Sequence, residues 1–200
     1  MVMLMPLTAG AQTSGFKLRG FADAGTTTFT AQQSFEAVLG SKSGPVFGGG
    51  VEAVARNFFL NVRASQFRKT GERVFIFEGE QFDLGIPVTV TVRPIELTLG
   101  YRFDFGSWIV PYAGGGMGWH KYTETSEFAE DSENVEEYFK GYHVLGGAEF
   151  RFARWIGAAA EAQWGTVPDA LGYDDNSVSK AFEETDLGGT TFRVKIIIGR

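Results

Sequence analysis

Apolar or small residues recur at every second position along the stretch from Val144 to Gly165. They form two arms of about ten residues each. The polar residues that fall between them are Glu149, Arg151, Glu161 and Gln163. A period of two predicts β-strands, and Ala153-Arg154-Trp155 predicts the turn of a hairpin. Arms of this length match tilted strands that cross a bilayer, so the hairpin predicts a transmembrane β-barrel.

The same period of two predicts eight strands along the chain. Their expected ranges are 16–26, 45–55, 58–77, 88–103, 110–122, 144–152, 156–164 and 192–198. Long and short connections alternate: Arg56-Asn57 is a tight turn, whereas 27–44, 123–137 and 166–186 are long. The third strand is expected to continue past Phe67 as a ribbon with its tip at Glu78-Gly79-Glu80. This alternation is typical of outer-membrane barrels, with short periplasmic turns and long extracellular loops.

In the fourth predicted strand, the alternating apolar residues switch from even-numbered to odd-numbered positions. Three valines at positions 88 to 92 share one parity, and the apolar residues from Ile95 to Phe103 share the other. A turn at Arg93-Pro94 would create a ninth strand, whereas a bulge there would keep eight. Proline cannot donate to a ladder, and single-chain bacterial barrels have even strand numbers. We therefore expect a bulge at Pro94.

The first long connection contains a short helical pattern from Ser34 to Gly40. Serine is a favoured N-cap residue and glycine commonly ends a helix, so Ser34 and Gly40 are its predicted limits.

Charged residues lie opposite the apolar face in most of the predicted strands, which makes the expected barrel interior polar. Its bases and acids nearly balance: Lys17, Arg19, Asp23, Glu52, Arg63, Glu96, Arg102, Glu149, Arg151, Glu161, Arg193 and Lys195. An eight-stranded barrel has room only for side chains, and unpaired charges inside it would be costly. We therefore predict a salt-bridged polar plug rather than a wide channel or an acid–base catalytic site.

Aromatic residues gather near both ends of the predicted strands, as in the interfacial girdles of membrane barrels. The girdle near the short turns contains Phe16, Phe58, Tyr101, Phe103, Trp108, Tyr112, Phe152 and Trp155. The girdle near the long loops contains Phe67, Trp119, Tyr122, Tyr142 and Trp164. The alternative is that these residues form the core of a soluble β-sandwich.

Composition narrows the possible functions. The chain has no cysteine, which excludes disulfides and thiolate chemistry, and its net charge of -6 argues against nucleic-acid binding. At the N-terminus, Ala9-Gly10-Ala11 fits a signal-peptidase site before Gln12. We therefore expect residues 1–11 to be the remnant of a signal peptide and residues 12–200 to be one barrel domain.

Two neighbouring strands carry a family resemblance: Pro94-Ile-Glu-Leu-Thr-Leu-Gly-Tyr-Arg-Phe103 and Val110-Pro-Tyr-Ala-Gly-Gly-Gly-Met-Gly-Trp119. A strand ending in Tyr-Arg-Phe, followed by Pro-Tyr-x-Gly-x-Gly-x-Gly, resembles small eight-stranded bacterial outer-membrane proteins of the OmpW/OmpA type. The resemblance covers Phe16 to Arg200. It implies location in the bacterial outer membrane, and passage of small apolar compounds, adhesion or envelope support as possible roles.

Three features are candidate sites of chemistry. The glycines from Gly114 to Gly118 continue as strand and are not followed by a helix, so they predict close packing rather than a phosphate site. His120 and His143 are the only histidines and are expected to be adjacent at the outer strand ends. A two-histidine metal site lacks an acid fixed by spacing, and the His-x-Ser pattern of a lipid-modifying hydrolase is missing after His120.

Acidic side chains are concentrated in two of the long connections, where they predict either cation capture near lipopolysaccharide or simply solvated loops. They are Glu124, Glu127, Glu130, Asp131, Glu133, Glu136 and Glu137, and then Asp169, Asp174, Asp175, Glu183, Glu184 and Asp186.

The sequence therefore predicts an all-β protein, an eight-stranded antiparallel up-and-down transmembrane β-barrel of the outer membrane. We expect a non-enzymatic protein, without cofactor, metal or catalytic residues, that has an envelope role or binds and narrowly permeates small solutes, hydrophobic ones included. The alternatives are a lipid-modifying outer-membrane hydrolase and a soluble exported lipocalin-like barrel. The expected partners are outer-membrane lipids, lipopolysaccharide and the barrel-assembly machinery, with the protein a monomer that binds no nucleic acid.

Overall fold

A computed structural model describes residues 15–77, 80–106, 108–126, 135–172 and 177–199. Eight antiparallel strands in chain order form a closed barrel, and the first strand pairs with the last. The elements are β1 (Phe16–Phe29), α1 (Gln32–Leu39), β2 (Ser43–Ala55), β3 (Phe58–Phe77), β4 (Glu80–Arg102), β5 (Ile109–Thr125), β6 (Val135–Arg151), β7 (Ile156–Thr166), α2 (Val178–Ala181) and β8 (Gly189–Gly199). The predicted eight-stranded up-and-down barrel is confirmed. Within the described ranges, neither helix is long and apolar enough to cross a membrane.

The outer face of the barrel is apolar and exposed. Leu18, Leu60, Val144 and Val194 are 45 to 61% exposed, whereas charged residues between them, such as Arg63, are buried. A continuous exposed belt of large apolar side chains around buried charges is the reverse of what a water-soluble protein shows. It is the arrangement of a barrel whose outside faces lipid.

β3 and β4 are the two longest strands; the extension of β3 was predicted, whereas β4 begins earlier than the predicted 88–103. β3 has 20 residues and β4 has 23, so they continue beyond the barrel wall as a two-stranded ribbon. The pairing shifts register between Glu72 and Val74, inside this ribbon. Of the predicted tip, Glu78 and Gly79 lie outside the described residues, and Glu80 begins β4.

The predicted bulge at Pro94 is wrong. Ala64 lies opposite Ile95 and Phe67 lies opposite Val92, so β3 and β4 keep the same offset on both sides of the proline. The pairing of β4 with β5 also runs through this point without interruption. Parity is therefore constant, and the three valines at positions 88 to 92 face the interior, where they are buried. The sequence pattern changes because the interior changes from polar to apolar at this level.

Helix α1 covers the loop end of the barrel, although it begins earlier than predicted. Gly40 ends it in the left-handed conformation (φ 66°), as expected. Ser34 is not its N-cap, because the helix starts at Gln32. Instead, the carboxylate of Glu184 accepts hydrogen bonds from the backbone N–H groups of Gln33 (3.1 Å) and Ser34 (2.8 Å) and from the Ser34 hydroxyl (2.6 Å). A carboxylate at this position suits the positive end of the helix dipole.

Candidate functional site

A closed ring of four charged side chains lies inside the barrel near the short turns. Glu149 accepts hydrogen bonds from Arg19 Nη1 (2.9 Å) and Arg102 Nη2 (2.7 Å). Glu52 is bound by Arg19 and lies 3.5 Å from Arg102 Nη1. Each arginine thus contacts both acids, and the ring has no net charge. Pairing of this kind is what makes buried charges tolerable.

A second group of buried charges centres on Glu161, farther from the short turns. Its carboxylate is bound by Lys195, by Arg63 Nη2 (2.9 Å) and by the Tyr112 hydroxyl (3.0 Å), and it lies 3.6 Å from Arg193 Nη1. One carboxylate therefore holds side chains from three other strands together across the lumen.

Two further acids complete this second group. Asp23 Oδ2 lies 3.2 Å from Arg63 Nε. Glu96 lies 3.9 Å from Arg193 Nη1 and 4.0 Å from Arg63 Nη1, and it accepts a hydrogen bond of 2.6 Å from Gln163. Three acids, Asp23, Glu96 and Glu161, thus meet three bases.

The two remaining residues of the predicted charge network lie at its edge. Arg151 is only partly buried and donates to Asp104 (2.7 Å), with Glu149 at 3.4 Å. Lys17 is exposed at the mouth of the barrel near the short turns. The predicted set thus contains both the buried network and part of its rim.

Aromatic side chains separate the two charged groups. Lys195 Nζ lies 5.2 Å from the ring centre of Phe21 and 5.4 Å from that of Tyr112, within the range of cation–π contacts. A Cβ atom at Gly147 would lie 2.7 Å from the Tyr112 ring, so glycine in the opposite strand provides the space that this ring fills. The glycine-rich strands thus make room for large side chains inside the barrel.

The girdle prediction needs three corrections. Tyr112 and Phe67 are buried in the interior, and Tyr122 packs against the interior apolar cluster rather than facing lipid. All three occupy the alternate positions of their strands that point into the lumen, where large aromatic side chains also fill space. The other predicted girdle residues are exposed: Phe16, Phe58, Tyr101, Phe103, Trp108, Trp119, Tyr142, Phe152, Trp155 and Trp164.

The two histidines line the same small cavity, although β5–β6 pairing places His143 against Gly116 and His120 against Phe139. His143 Nε2 lies 2.8 Å from the Thr98 hydroxyl, and its Nδ1 lies 3.7 Å from Glu96. These residue types match a nucleophile, base and carboxylate, and they come from two strands, β4 and β6, that are not paired with each other. Thr98 is only 2% exposed, however, and the adjoining cavity holds only about 70 Å³. Among the described residues, no group of three His, Cys, Asp or Glu could hold a metal ion.

The loop half of the lumen is apolar. A buried cluster joins α1 to the loop-side ends of the strands and to the last long connection. Its members are Phe29, Ala31, Phe35, Leu39, Phe67, Val90, Val92, Val167, Ala170 and Leu187. The rings of Phe29 and Phe35 stack with centres 4.0 Å apart, and Phe67 meets Phe29 edge-on at 4.9 Å. This cluster closes the barrel above the charged groups.

Beside this cluster lies a loop-side cavity of about 580 Å³, bounded by α1, the β3–β4 ribbon, the outer ends of β5 and β6, and the last connection. Eleven of its sixteen lining residues are apolar or aromatic: Phe35, Val38, Leu39, Val74, Phe75, Leu84, Val90, Tyr122, Val135, Leu171 and Val178. The other five are polar or charged: Ser34, Arg73, Glu124, Ser177 and Ser179. Its volume lies within the range of small-molecule sites, roughly 300–1,000 Å³.

A second cavity, of about 720 Å³, forms the turn-side mouth. Its lining contains six cationic side chains and two carboxylates, Asp104 and Glu149. The hydrogen bond from Arg151 holds the pKa of Asp104 below its usual value, and the backbone N–H of Gly106 adds to this effect. The chain thus has an apolar cavity at one end and a basic one at the other.

Solved barrels with the same fold come from distant relatives. Neisserial surface protein A is 11% identical, with a TM-score of 0.55 over 92% of this chain and 97% of its own. OprG from Pseudomonas aeruginosa is 15% identical, with a TM-score of 0.51 over 92% of this chain and 93% of its own. A major outer membrane protein from Thermus thermophilus is 9% identical, with a TM-score of 0.56 over 92% and 99%. At identities this low, the similarity shows only that these proteins share the barrel fold. Among curated proteins, none matches the sequence significantly.

The family assignment comes from the sequence itself. Residues 1–195 match the family described as outer membrane protein beta-barrel domain. This match spans nearly the whole chain, and the closed barrel with its exposed apolar belt agrees with it. The chain therefore belongs to the outer membrane protein beta-barrel domain family, and it is a protein of the bacterial outer membrane.

Proposed function

We propose that the protein binds a small apolar molecule in its loop-side cavity and is not an enzyme. The observation that carries this proposal is the cavity of about 580 Å³ in which α1, the β3–β4 ribbon, the outer ends of β5 and β6, and the last connection bring eleven apolar or aromatic residues together. Burial of an apolar ligand in such a cavity is favourable by roughly 25 cal/mol for each Å² removed from water. Long loops carry binding sites on rigid scaffolds in many proteins.

A non-conducting lumen is the second part of the proposal. Paired charges fill the turn-side half, and the apolar cluster around Phe29 and Phe67 fills the loop-side half. An ion would have to displace salt bridges and then pass an apolar layer, both of which oppose its passage. Narrow permeation, the other role considered, would require these groups to move.

The arrangement of Thr98, His143 and Glu96 supports a structural role for these residues. A catalytic nucleophile must meet its substrate, and Thr98 is enclosed in the wall of the lumen. We further propose that the protein is a monomer surrounded by lipids and lipopolysaccharide and inserted by the barrel-assembly machinery. The exposed apolar belt supports contact with lipid on all sides.

The test is binding of the apolar fluorophore N-phenyl-1-naphthylamine to the refolded full chain in detergent micelles. Leu84→Asp places a charge on the cavity wall, and Phe82→Asp is its matched control. The two residues lie two positions apart in β4 and are 51% and 47% exposed, but Phe82 does not line the cavity. We expect Leu84→Asp to weaken binding about tenfold or more, because a bound apolar ligand would remove water from the new charge without offering it a partner.

The control should bind within about twofold of the unmodified chain. Absence of saturable binding by the unmodified chain, or equal weakening by both substitutions, would contradict the proposed cavity. Steady single-channel conductance in a planar bilayer would contradict the closed lumen.

A further inference from the structure

The turn-side mouth is a cavity with a buried floor and an exposed rim. Arg19, Arg102 and Glu149 form the floor and are at most 8% exposed. Phe16 and Trp155 stand at the rim and are more than half exposed. Because outer-membrane barrels have their short turns in the periplasm, this cavity opens toward the periplasm.

Positive charge exceeds negative charge in this cavity. Its cations are Lys17, Arg19, Arg56, Arg102, Arg151 and Arg154. The nearby acids already have partners: Glu52 and Glu149 bind the two floor arginines, and Asp104 binds Arg151 at 2.7 Å. Three rim cations, Lys17, Arg56 and Arg154, thus have no acid among the described residues that line the mouth. Residues 1–14, which precede the first described residue, include no Asp or Glu.

The turns that carry the rim cations are held by backbone hydrogen bonds. The N–H of Arg56 donates to the Gly15 carbonyl at 3.0 Å, and Arg56 occupies the left-handed region with φ 55°. The turn that carries Arg154 is closed by the bond from Ala153 N–H to the Ile156 carbonyl at 3.2 Å. Arg56 and Arg154 therefore project from fixed turns, and Lys17 from strand β1, around one cavity. This arrangement binds a ligand at lower entropic cost than a flexible tail.

We propose that the turn-side mouth binds a small polyanion that carries at least two phosphate or carboxylate groups. Guanidinium groups match the geometry of such oxyanions and form charge-assisted hydrogen bonds with them. The cavity, at about 720 Å³, has the volume of a small-molecule site. Its mouth repels cations and attracts anions, because the surplus charge lies on a low-dielectric wall.

This chemistry has two possible sources. One is a soluble polyanion of the periplasm. The other is the headgroup of an anionic phospholipid in the inner leaflet, because Phe16 and Trp155 place the rim at the level of the membrane interface.

The experiment is calorimetric titration of tripolyphosphate into the refolded full chain in zwitterionic detergent at low salt. The test variant removes the rim cations: Lys17→Gln, Arg56→Gln and Arg154→Gln. The control removes three exposed cations elsewhere: Lys42→Gln, Arg68→Gln and Lys140→Gln. Both variants lose the same net charge, so a difference between them reports the position of the charges. Heat-modifiable gel mobility verifies that each variant has folded.

We expect the rim variant to bind tripolyphosphate at least about tenfold more weakly, and the control to stay within about twofold. Binding should also weaken as salt is raised from about 50 to 200 mM, because exposed charges are screened. Absence of saturable binding by the unmodified chain, or equal losses in both variants, would overturn the proposal.

A second titration distinguishes the two sources. The unmodified chain is placed in nanodiscs of phosphatidylcholine, with or without phosphatidylglycerol. Weaker apparent binding of tripolyphosphate with phosphatidylglycerol than without it, in the unmodified chain but not in the rim variant, would assign the site to lipid headgroups. Equal binding in both lipids would assign it to a soluble anion.

Discussion

The two halves of the barrel interior are built from the same strands but have opposite chemistry. In β4, Arg102 and Glu96 face the lumen toward the short turns, whereas Val92 and Val90 face it toward the loops. The turn-side half is held by ion pairs and by a smaller apolar cluster that includes Val54, Phe59 and Ile197. The loop-side half is held by apolar burial and aromatic contacts. Alternation therefore determines which side chains point inward, but it does not determine whether the inside is polar.

The two halves should lose stability in different ways when a residue is removed. Charged groups in a narrow lumen are tolerated only when they are paired, so the turn-side half is a network that loses stability when any member is removed. The loop-side half consists of contacts that contribute singly, in proportion to the apolar area they bury. Three measurements test this contrast.

The largest effect is expected in the charged half, from Glu161→Gln. This substitution keeps the size of the side chain but leaves Lys195 and Arg63 without their shared acid. Loss of one partner from a buried ion pair costs about 3–5 kcal/mol. The free energy of unfolding in urea, measured in lipid vesicles, reports this change. As a control, Glu136→Gln removes an exposed acid that binds Lys121, and little change is expected. Equal stability of the two variants would show that the network is dispensable.

A smaller loss is expected in the apolar half, from Phe67→Ala. Phe67 packs edge-on against Phe29 and Phe35, so its removal leaves a cavity in the cluster. The expected cost is about 3 kcal/mol. Phe67→Leu should lose less, and neither loss should depend on salt, since no charge is involved. The same unfolding assay at two salt concentrations measures both points. A strong salt dependence would mean that the apolar half is coupled to the charged network.

The smallest effect concerns pH at the turn-side mouth. Because the pKa of Asp104 is lowered by its bond to Arg151, this pair stabilises the folded state above the ordinary carboxyl pKa. That stabilisation is lost as the pH falls through the lowered value. Arg151→Gln should therefore raise the pKa of Asp104, which carboxyl carbon NMR measures directly. An unchanged titration of Asp104 would show that solvent screens the contact.

The barrel itself could be predicted from the sequence because alternation, strand length and connection length all indicate the same architecture. The outward apolar face was also predictable: Val194, Ile196 and Ile198 are exposed as expected. Arg63 and Glu161, both on the predicted inner face, are the partners of a 2.9 Å ion pair. Which acid meets which base could not be predicted, because pairs such as Arg19 and Glu149 lie 130 residues apart.

The misassigned residues share a physical cause. A large aromatic residue satisfies an interfacial girdle and a crowded lumen equally well, so composition cannot separate Tyr112 from Trp108. The distinguishing signal was parity, together with a glycine in a facing position, such as Gly147 opposite Tyr112. The mistaken bulge at Pro94 has a related cause. The register is constant there, but the inward residues change from polar to apolar, and this change imitates a shift of register in the sequence.

The carboxylate that holds the first residues of α1 belongs to Glu184, 150 residues farther along the chain. The backbone bond from Thr30 N–H to the Gly188 carbonyl, at 2.8 Å, joins the same two segments. During biogenesis, α1 can therefore be fixed over the loop end of the lumen only after the last long connection has reached the barrel. Until then Phe29 and Phe35 lack the part of the apolar cluster that Val167, Ala170 and Leu187 contribute. Because this connection leads directly into β8, pairing of β8 with β1 and fixing of α1 over the lumen belong to one late step of insertion.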